Sequence, residues 1–183
     1  MPFHKLDDPL STRSRPQSPT IIVLHATAGA SADSSINHLR GEGLSYHYII
    51  GRDGVDAKST AASNGSDCKI FHCVDEKHRA SHVGSKVPPP TGAGSFNDLA
   101  VGISLANRQN GEEYAPKQLA ALDEVIAQVK RSAPTVTHLT THAVIQPWNR
   151  SDPLKVDGKA LAQKHGLIWF EPDAATIARH RPK

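Results

Sequence analysis

Thr20-Ile-Ile-Val-Leu24 is a short apolar run, rich in β-branched residues, that ends directly before His25. Such a run is typical of a strand that is buried on both faces of a sheet. A second run, Leu99-Ala-Val-Gly-Ile-Ser-Leu105, is apolar almost throughout. We therefore expect both segments to be strands, with the second near the centre of the sheet.

Helical and extended patterns alternate along the rest of the chain. The clearest helix is predicted at 116–132, where a proline suits the first turn. Its apolar stripe consists of Leu119, Leu122, Val125, Ile126 and Val129. We also expect helices at 31–40 and 156–165, strands at 45–50, 69–74 and 135–141, a turn at 51–54 and a loop at 84–97. Strands interleaved with helices predict an α/β fold, a single domain with a central mixed β-sheet flanked by helices.

Strand periodicity within 45–50 makes a further prediction about side-chain direction. Alternation along a strand places Tyr46, Tyr48 and Ile50 on one face and His47 and Ile49 on the other. From these residues alone, the better interpretation of Tyr46 is an aromatic side chain that packs into the core.

Three segments follow from the distribution of prolines and charges. Residues 1–19 contain four prolines and predict an irregular N-terminal arm. Residues 20–170 hold the periodic segments and form the main domain. Residues 171–183 form a basic C-terminal tail that is more often solvated than bound to a partner.

Composition excludes several classes of protein. The chain has 183 residues, of which 38% are hydrophobic and 21% charged, which is enough for one core and too apolar for a disordered chain. No apolar run approaches the roughly 20 residues of a transmembrane helix, and no secretory signal is visible, so we expect synthesis in the cytoplasm. The net charge of +3 favours an anionic partner but is too weak to indicate nucleic acid.

Two histidines share one structural situation in the predicted fold. His25 and His142 each follow a predicted strand, and Asp152 lies ten residues after His142, in front of Pro153. Functional groups gather beyond the strand ends of open α/β sheets. Two imidazoles and one carboxylate form a common catalytic zinc set with a fourth position for water. Because the chain has 11 histidines, spacing alone leaves a second interpretation open, in which these residues are polar strand caps and a turn.

Five short strings occur in a fixed order and resemble one enzyme family. They are Leu24-His-Ala-Thr-Ala-Gly29, Ser45-Tyr-His-Tyr-Ile-Ile-Gly-Arg-Asp-Gly54, Ser81-His-Val-Gly84, Asn97-Asp-Leu-Ala-Val-Gly-Ile-Ser-Leu105 and Thr141-His-Ala-Val-Ile-Gln-Pro-Trp-Asn-Arg-Ser-Asp-Pro153. Together they resemble the zinc-dependent N-acetylmuramoyl-L-alanine amidases of the type 2 family, which includes phage lysozyme-like amidases and is related to the peptidoglycan-recognition proteins. The resemblance covers residues 20–165, so the main domain at 20–170 would be the catalytic domain.

The resemblance implies a ligand set and two catalytic residues. One Zn²⁺ ion per chain would be held by His25, His142 and Asp152, and Tyr46 would lie near the metal. Arg150 stands where the family usually has a lysine that stabilises the oxyanion. Arginine keeps the positive charge but cannot donate a proton, so a lysine-like proton transfer is in doubt while oxyanion stabilisation stays open.

Three further residues are expected to contact substrate. His82 lies in a string that lines the substrate groove in the family, and Thr27 follows a predicted ligand; a surface histidine and a loop-stabilising hydroxyl are the alternatives. Ser104 stands where the cytosolic muropeptide-recycling members carry glutamate, which sides with the phage-type arrangement. Cys68 and Cys73 cannot build a disulfide framework and are expected to be ordinary thiols, although a zinc site with His72 or His78 is an alternative.

The function implied by the resemblance is hydrolysis of the amide bond between N-acetylmuramic acid and L-alanine. We expect a monomeric phage-type endolysin that acts on bacterial peptidoglycan in the cell wall and does not bind nucleic acid. Contact of the basic tail with anionic envelope polymers is the alternative to a solvated terminus. Three alternatives stay open: a non-catalytic peptidoglycan-binding protein, a cytosolic muropeptide-recycling amidase, and a zinc hydrolase with another amide substrate.

Overall fold

The structure, a computed structural model, describes residues 3–52 and 68–182. Its strands are β1 (Phe3–Lys5), β2 (Ile21–Ala26), β3 (Tyr48–Ile50), β4 (Ile70–His72), β5 (Ala100–Leu105), β6 (His138–Thr141) and β7 (Ile168–Trp169). Its helices are α1 (Ala32–Glu42), α2 (Phe96–Leu99), α3 (Pro116–Ser132), α4 (His142–Ile145), α5 (Gly158–Lys164) and α6 (Ala174–His180). None of the helices in these described ranges is long and apolar enough to span a membrane.

The strands of the described residues form one sheet in the order β1-β4-β3-β5-β2-β6-β7. The apolar run that includes Ile21 to Leu24 lies in β2, which pairs in parallel with β5 on one side and β6 on the other. Strand β3 is parallel to β5 but antiparallel to β4, so the sheet is mixed. The predicted α/β domain with a central mixed β-sheet flanked by helices is confirmed.

Helix α3 covers one face of the sheet and has the bounds that the sequence predicts. Leu122, Val125, Ile126 and Val129 are fully buried against the main core cluster, and each such side chain contributes about 1.5–3 kcal/mol to folding. Leu119 is different from the prediction because it is 38% exposed. The buried position in that turn belongs to Gln118, whose amide donates hydrogen bonds to the carbonyl oxygens of Ile50 and Ala106.

The predicted side-chain alternation along 45–50 is wrong at its first residues. Tyr48 and Ile50 belong to the main core, whereas Tyr46 packs against the cluster of Ile49 on the opposite side of the sheet. The regular strand begins only at Tyr48, and the backbone N–H of Ser45, before it, donates to Ser81 O outside the sheet. Tyr46 is therefore free of the strand periodicity and turns toward His25.

The described parts of the predicted arm and tail each contain regular secondary structure. Strand β1 lies within the arm at 1–19 and pairs in parallel with β4 at the edge of the sheet. Helix α6 lies within the tail at 171–183, and its partly buried Ile177 packs against a core cluster that includes Ile145. Helix α4 and strand β7 were not predicted, and α2 closes the predicted loop at 84–97.

Arg15 connects the N-terminal arm to the interior of the domain. Its guanidinium donates hydrogen bonds to the carbonyl oxygens of Glu76, His78, Asp98 and Ala100. Nη2 of Arg15 also lies 2.8 Å from Nε2 of His47, a buried residue directly before β3. One side chain therefore fastens the arm to three separate segments of the main domain.

Of the turn expected at 51–54, residues 53 and 54 lie outside the described residues.

Candidate metal centre

Parallel pairing of β2 and β6 brings the two predicted histidine ligands together. Leu24 is paired with Thr141, so the next residues, His25 in β2 and His142 directly after β6, lie at the same edge of the sheet. Their ring centroids are 4.5 Å apart. His25 is fully buried, and His142 is 5% exposed at the start of α4. Their position follows from strand register, which the sequence predicted only as a common location at strand ends.

Asp152 reaches the same point from the loop after α4. Its Oδ1 lies 3.2 Å from His142 Nδ1, and its Oδ2 lies 3.6 Å from His25 Nδ1. The backbone N–H of Ala26 donates to Oδ2, and that of Ala143 donates to the Asp152 carbonyl oxygen. β2 therefore holds the carboxylate itself, and α4 holds the backbone of Asp152.

The protonation states of this cluster suit metal binding. Burial raises the pKa of Asp152, but its contacts with the rings of His142 and His25 outweigh burial and hold the pKa well below its usual range. Burial and the neighbouring His142 lower the pKa of His25 to about 4. At neutral pH the cluster thus offers a carboxylate and a neutral imidazole, the forms in which these groups bind metals.

The spacing of the donor atoms fits one small cation. The ligand atoms of His25, His142 and Asp152 all lie within 4.8 Å of one another, and this is the cluster of metal-binding type found across residues 3–52 and 68–182. Tetrahedral bonds of about 2.1 Å place neighbouring ligand atoms about 3.4 Å apart, close to the spacings of 3.2 and 3.6 Å seen here. His25 Nδ1 is buried without a hydrogen-bond partner, which leaves it available to a metal.

A cavity of about 550 Å³ opens over this cluster. Tyr46 and Arg150 both line it, together with His142 and Asp152. The Tyr46 ring lies 4.9 Å from the His25 ring. Burial and the charge of Asp152 raise the pKa of the Tyr46 phenol above its usual value, so it keeps its proton and can donate a hydrogen bond. Arg150 is exposed at the cavity and carries its charge into it.

The three predicted substrate contacts occupy different places. Thr27 lines the cavity, and its hydroxyl also accepts a hydrogen bond from the backbone N–H of Gly29, so it stabilises its own loop. His82 lines the cavity and contacts His25. Ser104 lies beside His25 in the neighbouring strand but is 0% exposed and is absent from the cavity lining. Ser104 therefore does not line the cavity, and its predicted contact with substrate stays a prediction.

Several residues that line the cavity were not predicted from the sequence, among them Gln109 and His38. Gln109 accepts a hydrogen bond from the backbone N–H of Leu154, which joins the loop after β5 to the loop of Asp152. No local pattern marks Gln109, since this contact spans distant segments. His38 is exposed and also lines the cavity.

The two cysteines lie away from this cluster. Cys68 and Cys73 are both buried, and burial raises the pKa of the Cys73 thiol to about 12. A thiol that keeps its proton is a poor metal ligand. The alternative of a Cys-Cys-His zinc site finds no cluster of ligand atoms among the described residues.

Sequence comparison assigns the family. The family model Amidase_2, described as N-acetylmuramoyl-L-alanine amidase, matches residues 15–155, and the chain belongs to this family. The match includes all three residues of the cluster at the strand ends. A search of curated proteins found no match to the chain.

Solved structures of amidases share this fold. A selenomethionine derivative of AmpD aligns over 88% of this chain and 93% of its own, with a TM-score of 0.66 and 21% identity. AmiD from E. coli, in complex with anhydro-N-acetylmuramic acid-L-Ala-D-γ-Glu-L-Lys, aligns over 90% of this chain and 63% of its own, with a TM-score of 0.59 and 27% identity. The endolysin amidase LysCS from Clostridium intestinale URNW aligns over 91% and 96%, with a TM-score of 0.58 and 19% identity.

Proposed function

We propose that this protein hydrolyses the amide bond between N-acetylmuramic acid and L-alanine in peptidoglycan, with one zinc ion held by His25, His142 and Asp152. The observation that carries the proposal is the convergence of these three donors beside a cavity of about 550 Å³ in a member of the amidase family. Zinc, when bound in such a site, lowers the pKa of a coordinated water to about 7 and polarises a carbonyl group.

Tyr46 and Arg150 supply the remaining chemistry. The protonated Tyr46 phenol donates a hydrogen bond to the attacking water or to the substrate oxygen. This hydrogen bond holds the reacting group in position for attack. Arg150 places a permanent positive charge near the carbonyl oxygen, where negative charge develops as the amide carbon becomes tetrahedral. Arg150 acts by charge alone, since a guanidinium does not release a proton at neutral pH.

Substrate contacts are assigned to the cavity walls. Thr27 and His82 line the cavity and are proposed to contact the muramic acid or the stem peptide. Arg179 lies in the last turn of α6, and Arg181 directly follows the helix. Both basic side chains are proposed to contact anionic polymers of the envelope. We propose that a monomer acts on the cell wall as an endolysin of the phage type.

A second candidate is an amidase for soluble muropeptides. AmiD from E. coli, the most nearly identical of the three amidases compared above, was solved with an anhydro-muramyl peptide rather than a wall polymer. A wall lysin and a muropeptide amidase cleave the same bond, so the two functions differ only in the substrate that reaches the cavity.

The test is a substrate comparison with zinc-loaded protein. Intact sacculi and soluble anhydro-muropeptides are digested separately, and newly exposed alanine amino termini are quantified. We expect about one zinc per chain, release of alanine termini from sacculi, and loss of activity with a chelator that zinc restores. Release from muropeptides alone would favour the second candidate.

Asp152→Ala provides the control for the ligand set. Removing one of three ligands leaves two imidazoles, so zinc content and amide cleavage should both fall to background. Full activity in this variant contradicts the assignment. Wall binding without new alanine termini in the unchanged protein would identify a non-catalytic peptidoglycan-binding protein instead.

A further inference from the structure

His82 makes a direct contact with a proposed zinc ligand. Its Nδ1 lies 2.9 Å from His25 Nε2, and the two rings are nearly perpendicular, at 84°. His82 is 8% exposed, so water does not compete freely for this hydrogen bond. The other nitrogen of His25, Nδ1, faces Asp152 and has no hydrogen-bond partner. The two ring nitrogens of His25 therefore have different neighbours and different tasks.

The direction of this hydrogen bond follows from the needs of a ligand. A metal binds the lone pair of a neutral imidazole nitrogen, so a metal at Nδ1 requires the His25 proton on Nε2. That proton is then donated to the lone pair of His82 Nδ1. His82 accepts this bond only when its own Nδ1 is unprotonated. The pair thus selects one tautomer of His25, the one whose free lone pair faces Asp152.

The backbone around His82 is clamped in place. The N–H groups of His82 and Val83 both donate to Asn97 Oδ1, and the Asn97 amide donates back to the carbonyl oxygen of Val83. Asn97 lies in the short helix α2, directly before β5. The segment that carries His82 is therefore fixed to α2, the helix that leads into β5.

Gly102 of β5 leaves the space that the His82 ring fills. A Cβ atom at Gly102 would lie 2.9 Å from both Cγ and Nδ1 of His82, closer than real Cβ contacts. The ring therefore lies directly on the backbone of β5. Any larger residue at Gly102 would displace the acceptor from His25.

From this geometry we infer that His82 is a positioning residue that orients His25 and sets its tautomer, so that Nδ1 is presented to the metal. The inference rests on the proposed zinc site and adds a role to the substrate contact assigned above. Partners of this kind outside the ligand shell typically change metal affinity by about 10- to 100-fold.

The experiment measures zinc affinity by competition with a chelator in three variants. His82→Leu removes the acceptor and should weaken zinc binding by about 10- to 100-fold. His82→Asn keeps an oxygen acceptor near the Nδ1 position and should recover most of the zinc affinity that His82→Leu loses. His38→Leu is the matched control, since His38 lines the same cavity without being a proposed ligand, and it should keep the affinity of the unchanged protein. Circular dichroism of the zinc-free variants checks that each is folded.

Ring-nitrogen NMR of the zinc-loaded unchanged protein gives a readout that needs no variant. We expect a slowly exchanging proton on His25 Nε2 that is absent on Nδ1. Unchanged zinc affinity in folded His82→Leu, or a proton on His25 Nδ1, overturns the inference but leaves the proposed function standing. Failure of the unchanged protein to bind zinc overturns both.

Discussion

Arg150 is a charged residue in the cavity with few restraints from the rest of the protein. It is exposed, and its Nη1 donates a hydrogen bond to the neighbouring Asn149 carbonyl oxygen. Its proposed effect on the reaction is a charge effect on the substrate and involves no contact with a proposed metal ligand. Its contribution to catalysis can therefore be separated from metal binding.

We predict that Arg150→Ala lowers kcat by about 100-fold while zinc affinity stays within about twofold, because the lost charge stabilises only the transition state. Arg150→Lys should lose less than about tenfold, since lysine restores a cation but not the planar guanidinium. Single-turnover rates on muropeptide and chelator competition make the two measurements. Arg108→Ala, which removes an exposed arginine paired with Glu112, serves as the control. An unchanged kcat in Arg150→Ala would show that the charge plays no part.

Sequence patterns predicted residues that belong to local strings and missed relations that depend on the fold. His25, His142 and Asp152 each lie in a string with a family resemblance, so the amino-acid sequence alone identifies them as candidate ligands. The contact between His82 and His25 could not be predicted in this way, because it joins residues 57 positions apart in sequence. The complete burial of Ser104 could not be predicted in this way either, since it results from strand pairing rather than from its neighbours in sequence.

Helix α5 lies against the β6 edge of the sheet at a point where one glycine is required. A Cβ atom at Gly158 would lie 2.6 Å from Trp169 Cζ3 and 3.0 Å from Thr141 Cγ2. Thr141 immediately precedes His142, so this packing also supports the strand end that carries a proposed ligand. Gly41 in α1 is the contrasting case, because a Cβ there would meet nothing within 4 Å.

We predict that Gly158→Ala lowers the free energy of unfolding by about 1–3 kcal/mol, because the added methyl group forces the indole or the helix to move. Gly41→Ala should instead raise it by about 0.5–1 kcal/mol, as expected for alanine replacing glycine inside a helix. Urea unfolding of both variants gives the comparison. A neutral Gly158→Ala would mean that the Trp169 ring moves aside freely.

At the scale of elements, long periodic segments were predictable and short ones were not. Helix α3 has 17 residues and several turns of apolar periodicity, so its bounds match the prediction. Strand β7 has two residues and exists through its pairing with β6, which no local pattern reveals. Strand β1 was hidden in the same way, because the prolines of the arm predict irregular structure while β4 supplies its hydrogen bonds.

A buried carboxylate joins several parts of the whole molecule. Tyr48 and Ser132 donate hydrogen bonds to Glu76 Oε1 at 2.5 and 2.7 Å, and His72 Nε2 lies 3.4 Å from Oε2. These partners come from β3, from the end of α3 and from β4. Burial raises the pKa of Glu76, but the contacts of His72, Tyr48 and Ser132 outweigh burial and lower it to about 2.

This shift predicts a specific acid dependence of stability. Because the folded pKa lies below the ordinary value of 4.5, the charged form stabilises the fold above about pH 4.5, and the stabilisation is lost as the pH falls toward 2. Glu76→Gln should therefore be less stable than the unchanged protein by about 2–3 kcal/mol at pH 6, with the difference vanishing near pH 2. Urea unfolding across this pH range tests the prediction. Glu113→Gln, at a largely exposed side chain, is the control and should change stability by less than about 0.5 kcal/mol at every pH. A stability difference for Glu76→Gln that does not vary with pH would contradict the prediction.

The way Arg15 enters the domain bears on how the protein can be engineered. Its guanidinium satisfies carbonyl oxygens in the segments before and within β5, so the amino-terminal residues are part of the folded unit. Removing these residues to obtain a minimal catalyst would leave those carbonyl oxygens buried without a hydrogen-bond donor. Helix α6, by contrast, contains no fully buried residue. Affinity tags, fluorescent reporters and surface immobilisation are therefore best attached at the carboxyl end.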